Sequence, residues 1–253
     1  MQLLEEDLIK LDVMVTNTHP FKIVPYKQNC IRSIYTAQPS QDLYDDIADS
    51  EDYGNLFDLE MNSSLIDRQQ PHIDRTFQYG KADELYTVFN PPWSKGRFGD
   101  GITYGVFYSA EDKVTSYLEA LWHFVKWSHN LHKYSSKDWI ESDRKVFEIA
   151  IDSQKFASLI NDHDIYDSLI SNDYAFSRQI ASEAISNSIE GLRTPSARNK
   201  GGVCVPLFQK KPIKSEKVLR YVKFQVNVKT GDLRITGDAQ FSIPYTYNSI
   251  ITS

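Results

Sequence analysis

Only two cysteines, Cys30 and Cys204, occur in the 253 residues. Two thiols make neither a disulfide framework nor a cysteine-rich zinc site. Their apolar neighbours mark them as free, buried thiols of the kind a reducing cytoplasm preserves. Long hydrophobic runs are also missing, and no stretch is apolar over enough residues to cross a bilayer. The first residues include Glu5, Glu6 and Asp7, the wrong charge for a secretory leader, so a cytoplasmic location with no membrane contact is expected. Positive charge is in short supply: 28 Lys and Arg against 34 Asp and Glu leave a net charge of −6. That balance argues against direct nucleic-acid binding by the whole chain. Neither internal repeats nor low-complexity segments occur.

What is present fits a globular protein with a substantial core: hydrophobic residues make up 41% and charged residues 25%. Aromatic residues are plentiful at 13%, enough to line a cleft with rings. Leu3, Leu4, Leu8, Ile9 and Leu11 predict a short helix in an N-terminal extension over 1–20. Residues 21–253 then read as a single catalytic domain, with an acidic insertion near 38–80 and a C-terminal hairpin over 218–228 and 233–235. The acidic run from Asp42 to Asp52 lacks the ordered spacing of a calcium loop and reads as a solvated face. Strands are predicted at 21–35, 85–89, 145–151 and 203–208, and a helix at 154–160. Residues 162–173 read as a turn. A stronger helix follows at 174–189, with Gly191 as its stop.

The most informative stretch is Lys95 to His123, KGRFGDGITYGVFYSAEDKVTSYLEALWH. Its glycines allow tight turns and close approach to the main chain. Val106, Phe107 and Tyr108 form a short apolar run suited to a buried strand. Ser109 is placed to cap a helix, with Glu111 and Asp112 in the first turn. Val114, Tyr117, Leu118, Leu121, Trp122 and Val125 then follow a helical period running to about His132. Glu119 falls at the edge of that apolar face. Turn, strand and helix in series can therefore bring the cation of Arg97, the ring of Tyr108 and the carboxylate of Glu119 to one pocket.

Three segments, GRFGDG, VFYSAEDKVTSYLEAL and GLRTPSARNKGGVCVPLF, together with Cys30-Ile31-Arg32, resemble the RES-domain family, named for its arginine, glutamate and serine. The resemblance spans roughly Arg32 to Phe208. It implies an α+β fold, an ADP-ribosyltransferase-like mixed sheet core with flanking helices. It also implies a toxin that cleaves the nicotinamide–ribose bond of NAD+ by hydrolysis or phosphorolysis. NAD+ is then the substrate, and no cofactor or metal is expected. A cognate antitoxin carrying a helix-turn-helix domain is the implied protein partner. The same site would also serve ADP-ribosyl transfer to a protein, or, without catalysis, nucleotide or partner binding.

Carried onto this sequence, the family pattern has Arg32 and Arg97 hold phosphates through their forked donors. Tyr108 would stack on the cationic nicotinamide ring. Glu119 would stabilise the oxocarbenium-like state of glycosidic cleavage, and Ser196 would donate a hydrogen bond to the ligand. Backbone N–H groups of the glycine turn would add further donors. Phe98 and Gly99 stand where the family's turn usually continues with tryptophan and asparagine, which keeps a ring for stacking but removes an amide. Glu119 and His123 have the spacing of a metal pair but no third ligand. Glu148 has no evident partner.

Overall fold

The computed structural model describes residues 19–36, 84–132, 137–238, 241 and 243–252. The predicted N-terminal helix and the acidic run lie outside these residues. The strands are β1 (Ile23–Tyr35), β2 (Phe107–Ala110), β3 (Trp139–Ser158), β4 (Gly191–Pro195), β5 (Val203–Leu207), β6 (Ile213–Asn227) and β7 (Leu233–Thr236). The helices are α1 (Lys113–His132), α2 (Tyr166–Ile170), α3 (Ala175–Ser186) and α4 (Tyr247–Ile251). The fold is α+β, as expected.

The strands form one sheet in the order β1-β2-β5-β4-β3-β6-β7, with a further pairing of β1 to β3. Through that pairing β1, β2, β5, β4 and β3 close on themselves, with β1 and β2 meeting at a single pair, Ile31 and Ala110. Among these strands only the β3–β4 pairing is parallel. On one side of β1, Tyr26 and Cys30 are buried, and Arg32 follows at the same two-residue period. Those residues pack with Phe107, Phe147, Ile149, Phe156, Val205 and Leu207. A second cluster joins α1 (Tyr117, Leu121, Phe124, Val125) to β3 and β6 and to Tyr247 and Ile250 of α4. The third joins α2 and α3 to β4, and it takes in Phe98 from the glycine turn.

Several local expectations give way to tertiary pairing. The helix expected over 154–160 is a continuation of β3, because Phe156 and Ala157 pair with Val24 and Ile23 of β1 on one side and with β4 on the other. The strand expected at 85–89 is a 3-10 turn, Glu84–Phe89. The turn expected over 162–173 contains α2. Ser109 lies in β2, and its hydroxyl donates to the Val205 carbonyl (3.0 Å). The start of α1 is capped instead by Asp112, which accepts from the Thr115 N–H (2.8 Å) and hydroxyl (2.6 Å). Gly191 opens β4 and does not end a helix. A Cβ there would lie 2.5 Å from Phe156 Cζ and 2.7 Å from Leu207 Cδ2, so glycine permits close strand packing. The left-handed residue after α3 is Ser188, with φ 57°.

Polar contacts fasten the elements around the site. Glu111 accepts both Nε (2.5 Å) and Nη2 (2.9 Å) of Arg193 and the Tyr26 hydroxyl (3.1 Å), which ties β1 and β4 to the start of α1. Asp238 is buried, with Lys113 Nζ at 2.8 Å, Arg220 Nη1 at 3.1 Å and the Tyr117 hydroxyl at 3.2 Å. Burial alone would raise its carboxyl. The hydrogen bond from Lys113 and the charges of Arg220 and Lys113 outweigh that and hold it below the usual carboxylate value. Asp238→Ala is expected to lower unfolding stability by about 3 kcal/mol, since it strands two cations that keep some contact with water. Because the folded value is depressed, this contribution is full above about pH 4 and shrinks as pH falls further. Urea titrations of both proteins at pH 7 and at low pH check this; a gap that is absent at neutral pH contradicts it.

Candidate active site

The glycine turn and β2 meet at one phenol. The Phe98 N–H donates to the Tyr108 hydroxyl (3.0 Å), and the Gly96 N–H to the Gly99 carbonyl (2.9 Å). A Cβ on residue 96 would stand 2.7 Å from the Tyr108 oxygen, so glycine there makes room for the ring. Tyr108 as a whole is 38% exposed, but its hydroxyl end is sunk against the turn. Burial pushes it up to about 12, against the opposing pull of the Phe98 and Gly99 N–H groups and Arg97. The phenol therefore stays neutral at physiological pH. The N–H groups of Gly96 and Phe98 are thus bonded within the protein. Phe98 itself is 2% exposed, so its ring belongs to the core and offers no open face for stacking.

Arg97 is anchored by the carbonyl end of α2. Its Nη1 donates to Leu169 O (2.8 Å) and Ser171 O (2.6 Å), and the guanidinium lies 4.5 Å over the Tyr174 ring. Arg178 Nε braces the same turn through the Gly96 carbonyl (2.9 Å).

One face of α1 forms the opposite wall: Ser116, Glu119, Ala120, His123, Phe124 and Trp127 line the cleft at helical spacing. Glu119 Oε1 accepts from Ser196 Oγ (2.6 Å), with Cys204 Sγ at 3.5 Å. Ser196 Oγ in turn accepts the N–H groups of Arg198 (3.1 Å) and Asn199 (3.0 Å). Asn199 reaches Thr115 of α1 (2.8 Å). Arg198 lies 3.6 Å over the Trp122 ring and donates to Asn172 Oδ1 (2.6 Å). The loop after β4 is therefore fastened along α1 beside Glu119. Burial lowers the Arg198 guanidinium, and Glu119 opposes that shift.

Arg32, Arg97, Tyr108 and Glu119 line one cleft of about 750 Å³. Ser196 is not among its lining residues; it stands behind Glu119, and its hydroxyl hydrogen goes to that carboxylate. Arg32 Nη1 donates to the Tyr108 carbonyl (2.7 Å), and its guanidinium covers the Phe107 ring at 4.1 Å. Its Nε is buried with no partner among the described residues. Burial, then the charge of Arg144, brings Arg32 down to about 10, so it is still a cation at neutral pH. Arg144 is held by Ser33 through Oγ (3.0 Å) and O (3.2 Å).

The lining contains four cations, Arg32, Lys95, Arg97 and Arg144, and two acidic residues, Glu119 and Glu141, the second with its carboxylate taken by Lys223 and Gln225. In a chain of net charge −6, this locally positive cleft suits an anionic ligand. His123 is lowered by desolvation, then pulled up by Glu119 and down by Arg198, Arg97 and Arg144. Glu148 lies on β3 outside the cleft lining. Among the described residues no three His, Cys, Asp or Glu side chains gather as metal ligands. No helix there is long and apolar enough to cross a membrane.

Sequence reasoning did not single out Arg198, Tyr174, Arg144 or Trp127. Arg198 lies within the GLRTPSARNKGG segment, two positions beyond Ser196, and was the one within reach. The others depend on strand register and helix packing.

A family model described as RES domain matches residues 71–227. No curated protein matches the chain. Among solved structures the chain is similar to the M. tuberculosis MbcT–MbcA toxin–antitoxin complex, at 10% identity and a TM-score of 0.37, over 78% of this chain and 86% of that one.

The environment of Cys204 yields a test. Its thiol is raised well above the ordinary value by burial and by Glu119, and Cys30 is pushed up to about 11, mainly by burial. Neither is expected to react as a thiolate. Iodoacetamide at pH 8 should add nothing to the native protein and two adducts after denaturation, read by intact mass. A native adduct on Cys204 contradicts this.

Proposed function

The chain belongs to the RES-domain family, and from that premise we propose that it is a toxin that cleaves the nicotinamide–ribose bond of NAD+. The observation that carries this reading is the state of Glu119. Its Oε1 is held by Ser196 and Cys204, and Oε2 has no protein donor among the described residues. A carboxylate with one oxygen fixed and the other available is suited to a developing cation.

In this reading NAD+ lies along the cleft. Tyr108 offers its ring to the nicotinamide, and Arg32 and Arg97 draw in the pyrophosphate. The C1′–N bond breaks, and its electron pair leaves with nicotinamide, which becomes neutral. Positive charge spreads over C1′ and the ring oxygen of the ribose, where Glu119 stabilises it. Water or inorganic phosphate then bonds to C1′, giving ADP-ribose or its 1-phosphate; with water, one proton is released. Ser196 acts through Glu119, holding the carboxylate in place. A protein antitoxin with a helix-turn-helix domain would block the cleft and carry the DNA contacts, and a cytoplasmic location would give the enzyme its NAD+ pool.

Purified protein should release free nicotinamide from NAD+, with water or phosphate as acceptor. Glu119→Gln should slow release by about 100- to 1000-fold. No release under either condition, or full activity in Glu119→Gln, contradicts the proposal.

A further inference from the structure

The cleft continues well beyond Glu119. Trp127 is eight residues further along α1, about 12 Å at the helical rise, and lines the same cleft. Trp127 is 54% exposed. Its one face is backed by Phe124, 5% exposed, with centroids 6.3 Å apart and planes at 30°. A rigid ring, supported from behind and open in front, is a platform for another flat ring.

Two cations of the lining, Arg32 and Arg144, are neighbours, since Arg144 is bonded to Ser33. Arg32 is tied to the Tyr108 carbonyl (2.7 Å) and so belongs to the Glu119 end. Arg144 lies 5.1 Å over Phe224, whose ring meets both Tyr117 (6.0 Å) and Phe124 (6.2 Å) of α1, so it stands over a ring that packs on the one backing Trp127. Arg144 and Tyr35 are cross-strand partners between β3 and β1, and both line the cleft with Ser142 and Glu141.

We propose that Trp127, backed by Phe124, is a stacking platform for a nucleobase, and that Arg144 holds the phosphate next to that base. On the reading that the cleft cleaves NAD+, this end takes the adenosine half and makes the enzyme selective for a dinucleotide over nicotinamide mononucleotide. Ser142, on the same face of β3 as Arg144, offers a hydroxyl to the amino edge of the ring; the Glu141 carboxylate is turned to the other face, where Lys223 and Gln225 hold it. Stacking on an aromatic side chain is sequence-tolerant and strong enough to matter, typically about tenfold in affinity or more per base.

The test uses the full chain with AMP, NAD+ and nicotinamide mononucleotide as probes. Trp127→Ala should weaken AMP binding in calorimetry by about tenfold or more and raise KM for NAD+ by a similar factor, with kcat little changed. Cleavage or binding of nicotinamide mononucleotide should not change. Trp127→Phe, which keeps a ring, should retain most of the affinity. Because the residue is half exposed, neither variant threatens folding, and circular dichroism checks this. If AMP binding depends on Trp127 but NAD+ is not cleaved, the base platform stands and the cleavage reading falls. If NAD+ is cleaved and Trp127→Ala leaves KM and AMP affinity unchanged, or weakens the mononucleotide equally, the platform is overturned.

Discussion

One hydrogen bond, from Ser196 Oγ to Glu119 Oε1 at 2.6 Å, joins the loop after β4 to α1 and fixes the carboxylate of the cleft. Its geometry is over-determined. A hydroxyl has one hydrogen to donate and two lone pairs to accept with. Here the N–H groups of Arg198 and Asn199 occupy the accepting side, which leaves the hydrogen free to point at Glu119. The loop therefore orients the serine and the serine orients the acid. An isolated glutamate on a helix would sample several rotamers; this one is held before any ligand arrives, the condition under which a charge stabilises a transition state without reorganisation.

The rest of the fold places partners around that carboxylate. Closure of β1, β2, β5, β4 and β3 brings Arg32 of β1 beside Tyr108 of β2. The glycine turn, anchored by Phe98 in the core, presents Arg97 next to the Tyr108 hydroxyl. α1 crosses this arrangement, with Ser116, Glu119, His123 and Trp127 along the cleft. Each wall is rigid for its own reason: strand pairing, a buried ring, or a helix packed on β3 and β6.

The turn–strand–helix series around Arg97, Tyr108 and Glu119 was legible in the sequence because each part has a short-range signal: glycines, an apolar run, a 3.6-residue period. Arg32 and Ser196 came from the family resemblance alone. What escaped the sequence depends on long-range contacts. Residues 154–158 carry helix-compatible side chains yet extend β3, because strands on both sides claim their backbone. Gly191 looks like a helix stop until Phe156 and Leu207 close around it. Phe98, whose ring left stacking open in the sequence, is taken by the core. Tyr174 and Arg144 reach the cleft only through tertiary packing, and no local pattern marks them.

In the proposed reaction, Ser196 would serve catalysis by holding Glu119. A double-mutant cycle on nicotinamide release tests it most directly. Ser196→Ala is predicted to slow release in the wild-type background and to add little to Glu119→Gln. If the two losses multiply, Ser196 acts on the reaction independently of Glu119, and the account of the site is wrong.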